Sequence, residues 1–385
     1  MRFVVAALLA GLVALAGGTG TAGGREPVHA LLFQGQTVSL ASLDATTLAQ
    51  QGRQLAIGRA HGSVSTDRLG SRLAIASAGA GIVVVDTRQM RVVWRLARGR
   101  LIRAVAWLSP SRLLVVEHGG ALLLDPSRRR IVGHTRFEGV VLDTVRWSQG
   151  LVALASRNEG SIDPARLVVI GPGVRTRIVE VARIAAGWAP GPSDGVPFNR
   201  AIPGLAVDSA GRALVAGGPH LATIDLASLE VSYGRTERTL QKVTTGPRRS
   251  AAWLGDGILA LSGADERWTE AGSSSEPFGL RYLSSAGVRI VDPDATDVRA
   301  AADLALAFGS RSADGRVHGI GLAAYGRDGA LRWRLFGDAP VSSLTLANGL
   351  AYVWVAGRWN VVEVVSGTVL GSAPPRAAAM ILLGS

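Results

Sequence analysis

Few side chains in this sequence are equipped for chemistry, and they are scattered. Four of the six histidines, His61, His118, His220 and His318, fall between apolar stretches, and Glu117 adjoins His118. Brought to a common axis, imidazoles and carboxylates of this kind could hold a metal or act as acid and base in a lyase or hydrolase site. A second cluster is Asp292-Pro293-Asp294-Ala295-Thr296-Asp297, with Asp303 at the twelfth place. Oxygen donors at its first, third and fifth positions fit a calcium loop. The obligatory sixth-position glycine, however, is Asp297, and proline holds the second place. The stretch therefore reads as an Asp/Pro turn, with calcium at Asp292, Asp294 and Asp297 as the alternative and no other cofactor expected.

A third group is aromatic. Trp188 and Phe198 lie in the Pro/Gly-rich segment 184–200, and Asp265, Glu266 and Trp268 lie in the Ser/Gly-rich segment 263–279. Exposed aromatics with few charges suit stacking against a sugar or a peptide; folded inward, Trp188 and Phe198 would plug a channel instead. Catalytic motifs are missing: no Gly-x-Ser-x-Gly, no His-Glu-x-x-His and no phosphate loop ending in lysine occurs. The chain has no cysteine, which excludes disulfides, zinc thiolates and thiol catalysis. No catalytic residue is assigned.

Positioning these groups falls to a repeat. Apolar stretches ending in an acid recur as 38–44, 82–86, 121–125 and 222–225, with 361–363 as a late copy; Asp44, Asp86 and Asp125 stand about 40 residues apart, the span of a four-stranded propeller blade. A tight turn followed by an apolar strand precedes them, as in 70–75, 110–115, 149–154, 211–215, 256–261 and 348–353. Trp107, Trp147 and Trp253 sit just before three of these turns, where they are expected to pack between sheets. Helical periodicity is nearly absent, and turn residues arrive every 8–12 positions.

With strands named a to d, eight b strands begin near Val28, Leu73, Leu113, Leu151, Ala213, Ile258, Leu304 and Leu350. The fold class is thus all-β, a β-propeller of eight blades, with seven as the alternative division. The first unit lacks an a strand, and the apolar segment 377–383 is expected to supply it and close the ring. In this arrangement the long b–c loops 157–166, 263–279 and 309–318 and the long d–a loop 184–200 share one face, where binding is expected.

Two segments carry a resemblance to a known family. In Asp86-Thr87-Arg88-Gln89-Met90-Arg91-Val92-Val93-Trp94 a tryptophan follows an acidic strand end by eight residues, and 324–333, ending in Trp333, is a looser copy. Both resemble the repeat of quinoprotein-like (PQQ-type) propellers, and the turn 208–212 resembles those of WD40-like propellers. The resemblance implies the fold. Quinone-dependent dehydrogenases of that family carry adjacent cysteines over the cofactor; with none here, redox chemistry is not implied.

Residues 1–24, with Arg2 and an apolar run from Phe3 to Ala16, read as an export signal too short to span a bilayer. Residues 25–385 are then one propeller domain, secreted or in the extracytoplasmic envelope, monomeric and without a transmembrane span. The net charge of +12 is almost all arginine, Lys242 being the sole lysine, and is spread along the chain, which argues against a nucleic-acid partner. The expected function is non-enzymatic binding of an envelope protein or glycan through the long-segment face, with the His/acid enzyme as the alternative.

Overall fold

A computed structural model of the chain describes residues 25–59, 61–78, 81–97, 101–190, 198–236, 246–255, 257–269, 272–313, 316–373 and 379–383. Eight antiparallel sheets follow one another in sequence order, six of four strands and two of five. Blade 3 is typical: Ile102–Ser109, Arg112–Glu117, Gly120–Asp125 and Arg130–Arg136 form strands a to d. The expected b strands all serve as such, and the count is eight.

The b and c strands are apolar at nearly every position because both of their faces are covered. In blade 1, Val28, Ala30 and Leu32 pack against blade 8, whereas Leu31 packs against blade 2. In blade 4, Leu151, Ala153 and Ala155 face blade 3, and Val152 and Leu154 face blade 5. This is the two-residue period of a strand, read by two different neighbours. Eight apolar clusters result, one at each seam of the ring.

The repeat tryptophans lie in these seams. Trp107 is fully buried between blades 2 and 3 together with Trp94. Trp333 packs between blades 7 and 8; its indole N–H donates to the Val364 carbonyl at 3.0 Å. A Cβ at Gly367 would lie 2.5 Å from the Trp333 ring, so that turn of blade 8 must be glycine. Tyr352 repeats the device between blades 8 and 1, donating to the Ala45 carbonyl at 3.0 Å.

The acids that end the c strands cap the c–d turns. Oδ1 of Asp44 accepts the backbone N–H groups of Thr46 and Thr47 at 3.0 and 2.8 Å. Asp86 and Asp225 make the same pair of bonds in their own turns, and Asp125 accepts from Arg128. Four residues after each acid stands a left-handed residue: Leu48, Met90, Arg129 and Leu229. Bonds from backbone N–H groups favour the ionised carboxylate. They hold Asp44 at a pKa of about 2, the Thr47 N–H being the largest cause, and hold Asp125 and Asp225 low through the N–H groups of Arg128 and Ser228.

The ring closes as the sequence implied. Ala379–Leu382 pairs antiparallel with Val28–Gln34 and becomes the a strand of blade 1, with Leu383 buried beyond it. Residues 1–24, the expected signal, lie outside the described residues.

Truncation after Pro375 removes this strand, exposes the blade 1 edge and forfeits the burial of Met380 and Leu383. It should cost roughly 3–5 kcal/mol, from about 1.5–3 kcal/mol per buried apolar side chain, and promote self-association; calorimetry and size-exclusion chromatography check this. An unchanged melting temperature would count against strand-mediated closure.

His29 sits at the same seam, its carbonyl bonded to the Leu383 N–H. Burial, aided by Arg68 and opposed by Glu26, lowers its pKa from 6.5 to about 4. The unfolded chain therefore takes up the proton first, so stability should fall as pH drops from about 6.5 to about 4, by up to roughly 3 kcal/mol. Urea titrations across that window should show the slope, and His29→Leu should flatten it.

Candidate functional site

The b–c and d–a connections lie on what is called here the upper face, and the a–b and c–d turns on the lower. The long upper connections are not irregular loops, as the sequence suggested, but largely paired β-ribbons. In blade 6, strand b (Leu259–Thr269) runs beyond the sheet and turns back as Gly272–Pro277. In blade 7, Leu304–Ala313 and Arg316–Gly326 extend together in the same way. The two ribbons touch: the Ser312 N–H donates to Ser275 Oγ at 2.8 Å.

Blade 4 carries the third. Its d strand, Thr176–Pro190, pairs near its end with Ile162–Pro164 and then with Phe198–Ala201 as a fifth strand. Gly187 is the pivot. A Cβ there would lie 2.2 Å from the Ser161 carbonyl oxygen, and its φ of +125° suits glycine. Close passage at Gly187 delivers Trp188 opposite Arg200 with 39% of its surface exposed.

From Phe198–Ala201 the chain continues as a strap over blade 5. Ile202 forms a parallel bridge with Arg248 in strand a of blade 6 (Gly246–Trp253). The Ile202 N–H donates to Pro247 O at 2.9 Å, and the Arg249 N–H donates to Ile202 O at 2.8 Å. The approach is so close that a Cβ at Gly246 would overlap the Arg200 carbonyl.

Between ribbon and strap lies a cleft of about 370 Å³ lined by Leu142, Gly187, Trp188, Arg200 and Ile202. Its walls are apolar except for Arg200. Leu142 reaches it from a bulge in strand a of blade 4.

An alternating row of charges lies beside the cleft. Arg200 Nε donates to Glu266 Oε2 at 2.7 Å, and Arg248 stands between Glu266, at 3.9 Å, and Asp297, at 3.2 Å. On the other face of the same strand, Arg249 and Asp265 form a buried pair at 2.7 Å, both under 5% exposed. The Phe278 ring is flanked by the guanidiniums of Arg249 and Arg281 at 4.0 and 4.5 Å from its centroid. Asp265 and Glu266 thus diverge, as neighbours in a strand must, and each is engaged in a charge pair.

The remaining sequence candidates sit apart. His61, Phe198 and Trp268 have described backbones on strands, and their side chains lie outside the described residues. Glu117 is buried at the end of a b strand of blade 3, and the His118 N–H donates to Leu101 O in the next turn. His220 is half-buried on blade 5, while His318 is exposed on the ribbon of blade 7 opposite Arg311. Among the described residues no three His, Asp or Glu side chains gather as a metal group.

Asp292, Asp294 and Asp297 fall in the turn joining blades 6 and 7. Asp292 is buried and accepts from Tyr325 Oη at 2.6 Å and Arg334 Nη2 at 2.9 Å. Asp297 faces Arg248, Asp294 is exposed, and Asp303 pairs with Arg327 on the lower face. The Asp/Pro turn expected from the sequence is therefore present.

Two carboxylates that the sequence did not single out belong to the inner strands. Asp143 lies exposed beside the Leu142 bulge, and desolvation by its crowded surroundings raises its pKa against the pull of the Thr144 N–H and, more weakly, of Arg299 from blade 7. Asp67 is raised by burial while accepting the Trp107 N–H at 2.5 Å and facing Arg146 at 3.5 Å.

No known family profile matches the chain, and no curated protein is similar to it in sequence. Solved structures do resemble it. A dihydro-heme d1 dehydrogenase, NirN, in complex with DHE, aligns at 13% identity over 92% of this chain and 74% of that one, with a TM-score of 0.58. A quinoprotein alcohol dehydrogenase-like protein from Bacteroides thetaiotaomicron aligns at 11% identity over 92% and 78%, TM-score 0.48. BamB from Moraxella catarrhalis aligns at 14% over 81% and 84%, TM-score 0.46. At such identities the likeness is one of fold.

Breaking the buried pair separates structural from exposed charge. Asp265→Ala removes the carboxylate from beside the buried Arg249 guanidinium and should cost roughly 3–5 kcal/mol. Arg332→Ala, which removes the exposed partner of Asp328 and leaves that turn's backbone bonds in place, should cost less than about 1 kcal/mol. Denaturant titration of both variants checks the contrast.

Proposed function

We propose that this protein is an exported, non-enzymatic binding propeller whose partner is a protein of the cell envelope, seated on the upper face at the Trp188 cleft. The observation that carries the reading is Trp188 itself: a large aromatic, 39% exposed, at the mouth of a cleft with apolar walls, held by a glycine that admits no side chain. Exposed aromatics over a preformed apolar recess are the usual anchors of protein recognition.

The lining favours a protein over a glycan. A sugar ring needs several donors and acceptors around its edge, whereas this cleft offers one polar head, and Arg200 is already committed to Glu266. Aliphatic or aromatic partner side chains meet no such demand. The ribbons of blades 6 and 7 stand on the same face and would flank a partner docked there. Export rests on the character of residues 1–24. The alternative, a lyase or hydrolase, requires the dispersed imidazoles and carboxylates to converge.

Trp188→Ala should reduce partner capture from an envelope fraction at least tenfold while shifting the melting temperature little, since the side chain is largely outside the core. A photo-crosslinker at position 188 should trap the partner where one at Arg129, on the lower face, does not. Undiminished capture by the alanine variant would refute the cleft as the docking site, and capture abolished by glycosidase treatment would transfer the reading to a glycan.

A further inference from the structure

The lower face separates charge in a way that the overall composition conceals. On blades 2, 3 and 4 the a–b and c–d turns and the strand ends beside them carry Arg68, Arg72, Arg88, Arg91 and Arg112, then Arg128, Arg129, Arg130, Arg146, Arg175 and Arg177. These eleven arginines face four carboxylates: Asp67, Asp86 and Asp125, and Glu26 at the base of blade 1, which meets Arg68 at 3.7 Å. On blades 5 to 8 the corresponding described positions have four arginines, Arg212, Arg289, Arg327 and Arg332, against six acids: Asp208, Asp225, Glu230, Asp303, Asp328 and Glu363. One half of the face is strongly positive and the other close to neutral.

The acids on the basic half are outnumbered, and those that pair do so with Arg68, Arg112, Arg128 and Arg146. Asp86 spends its carboxylate on the backbone N–H groups of Arg88 and Gln89, and Asp125 caps its own turn while meeting Arg112 at 3.3 Å. Asp67 points inward to Trp107 and Arg146. Arg88, Arg91, Arg129, Arg130 and Arg175 are exposed, with no carboxylate in ion-pair range among the described residues.

Aliphatic side chains are set among them: Ile131, 43% exposed, follows Arg130, and Ile178, 44% exposed, follows Arg177. Arg72 crosses from blade 2 to the Pro110 carbonyl of blade 3 at 2.7 Å, so the turns form one continuous surface. The c–d turns of blades 2 and 3 share one build, an acid with a left-handed residue four places on.

We propose that the lower face of blades 2 to 4 is a docking surface for an anionic phospholipid bilayer. An array of exposed guanidiniums along three neighbouring blades suits a layer of headgroup phosphates, which arginine engages in bidentate fashion. The interspersed isoleucines can enter the interfacial layer, a contact that a soluble polyanion does not reward. The attraction of arginines to such a surface is screened within a Debye length of about 10 Å at moderate salt. Docking by this face leaves the Trp188 cleft pointing away from the membrane, so the proposal does not depend on the function assigned to that cleft.

Vesicle co-sedimentation of the full chain tests it, with phosphatidylcholine alone and with an added phosphatidylglycerol fraction, at low and at raised salt. The anionic vesicles should bind at least tenfold more protein than the neutral ones, and salt should erase the difference. The R88Q/R91Q/R129Q/R130Q variant should lose at least tenfold, with its circular dichroism unchanged, whereas Trp188→Ala should bind vesicles like the parent. If that quadruple variant does not fold, Arg129→Glu alone, at an exposed turn tip, should still reduce binding several-fold. Equal binding to both vesicle types, or no loss in the arginine variants, overturns the proposal. Binding to soluble polyphosphate without binding to anionic vesicles overturns it in favour of a polymer.

Discussion

The ring stands or falls on the covering of both faces of every blade. A lone four-stranded sheet whose b and c strands are apolar at consecutive positions has no soluble form, because alternation sends one set of side chains to each side. Here Leu31 is committed to blade 2 and its neighbours Ala30 and Leu32 to blade 8. Each seam therefore depends on the next, and only a closed circuit satisfies the last one. The pairing of Ala379–Leu382 with Val28–Gln34 is the step that makes an eight-membered array a finite object without a free inner edge.

Much of this was legible in the sequence because the same physical demands recur every forty or so residues. Acids at c-strand ends, glycines at hairpins and tryptophans before the a–b turns each answer a local requirement, so their spacing exposes the unit. Trp107 and Trp333 lie in the seams as the repeat implied. The candidate site was less legible. Trp188 was identified from its Pro/Gly-rich surroundings, yet segments 184–200, 263–279 and 309–318 read as loops. Their strands are rich in Gly, Ser and Pro and carry no apolar alternation, since a ribbon in solvent has no core side to mark. Asp265 and Glu266 read as contact residues, but their partners Arg249 and Arg200 lie 16 and 66 positions away. Pairings at such separations leave no trace in local spacing.

The repeat also explains how a face acquires its charge. An aspartate that caps a c–d turn is held ionised and in place by backbone N–H groups, and so contributes one fixed negative charge per turn. Arginines placed in the same turns have no such obligation. A blade built from this unit can carry more exposed cations than its acids offset, as on blades 2 and 3. On blades 7 and 8 the turn acids are Asp328, which caps the Ala330 N–H, and Glu363, which holds the Ser366 hydroxyl and Arg25; few arginines stand beside them, so the asymmetry arises from the turn residues and not from the architecture.

The cleft occupies a place where the architecture is thinnest. Among the described residues, the apolar cluster between blades 5 and 6 is the smallest of the eight, and strand a of blade 5, Gly204–Val207, has only four residues. Other means reinforce that seam. Ile202 bridges to blade 6 across the short strand, Arg249 and Asp265 form a buried pair, and Phe278 is held between two guanidiniums. A buried ion pair adds little net stability compared with an apolar substitute, but it tolerates no change in register. Fixing the strap by charge and backbone bonds leaves its outer side free of packing duties, and there Trp188, Leu142 and Ile202 can line an open recess. The same apolar surface at a conventional seam would already be consumed by the neighbouring blade. A local shortage of core is thus what makes room for a recess on an otherwise closed ring.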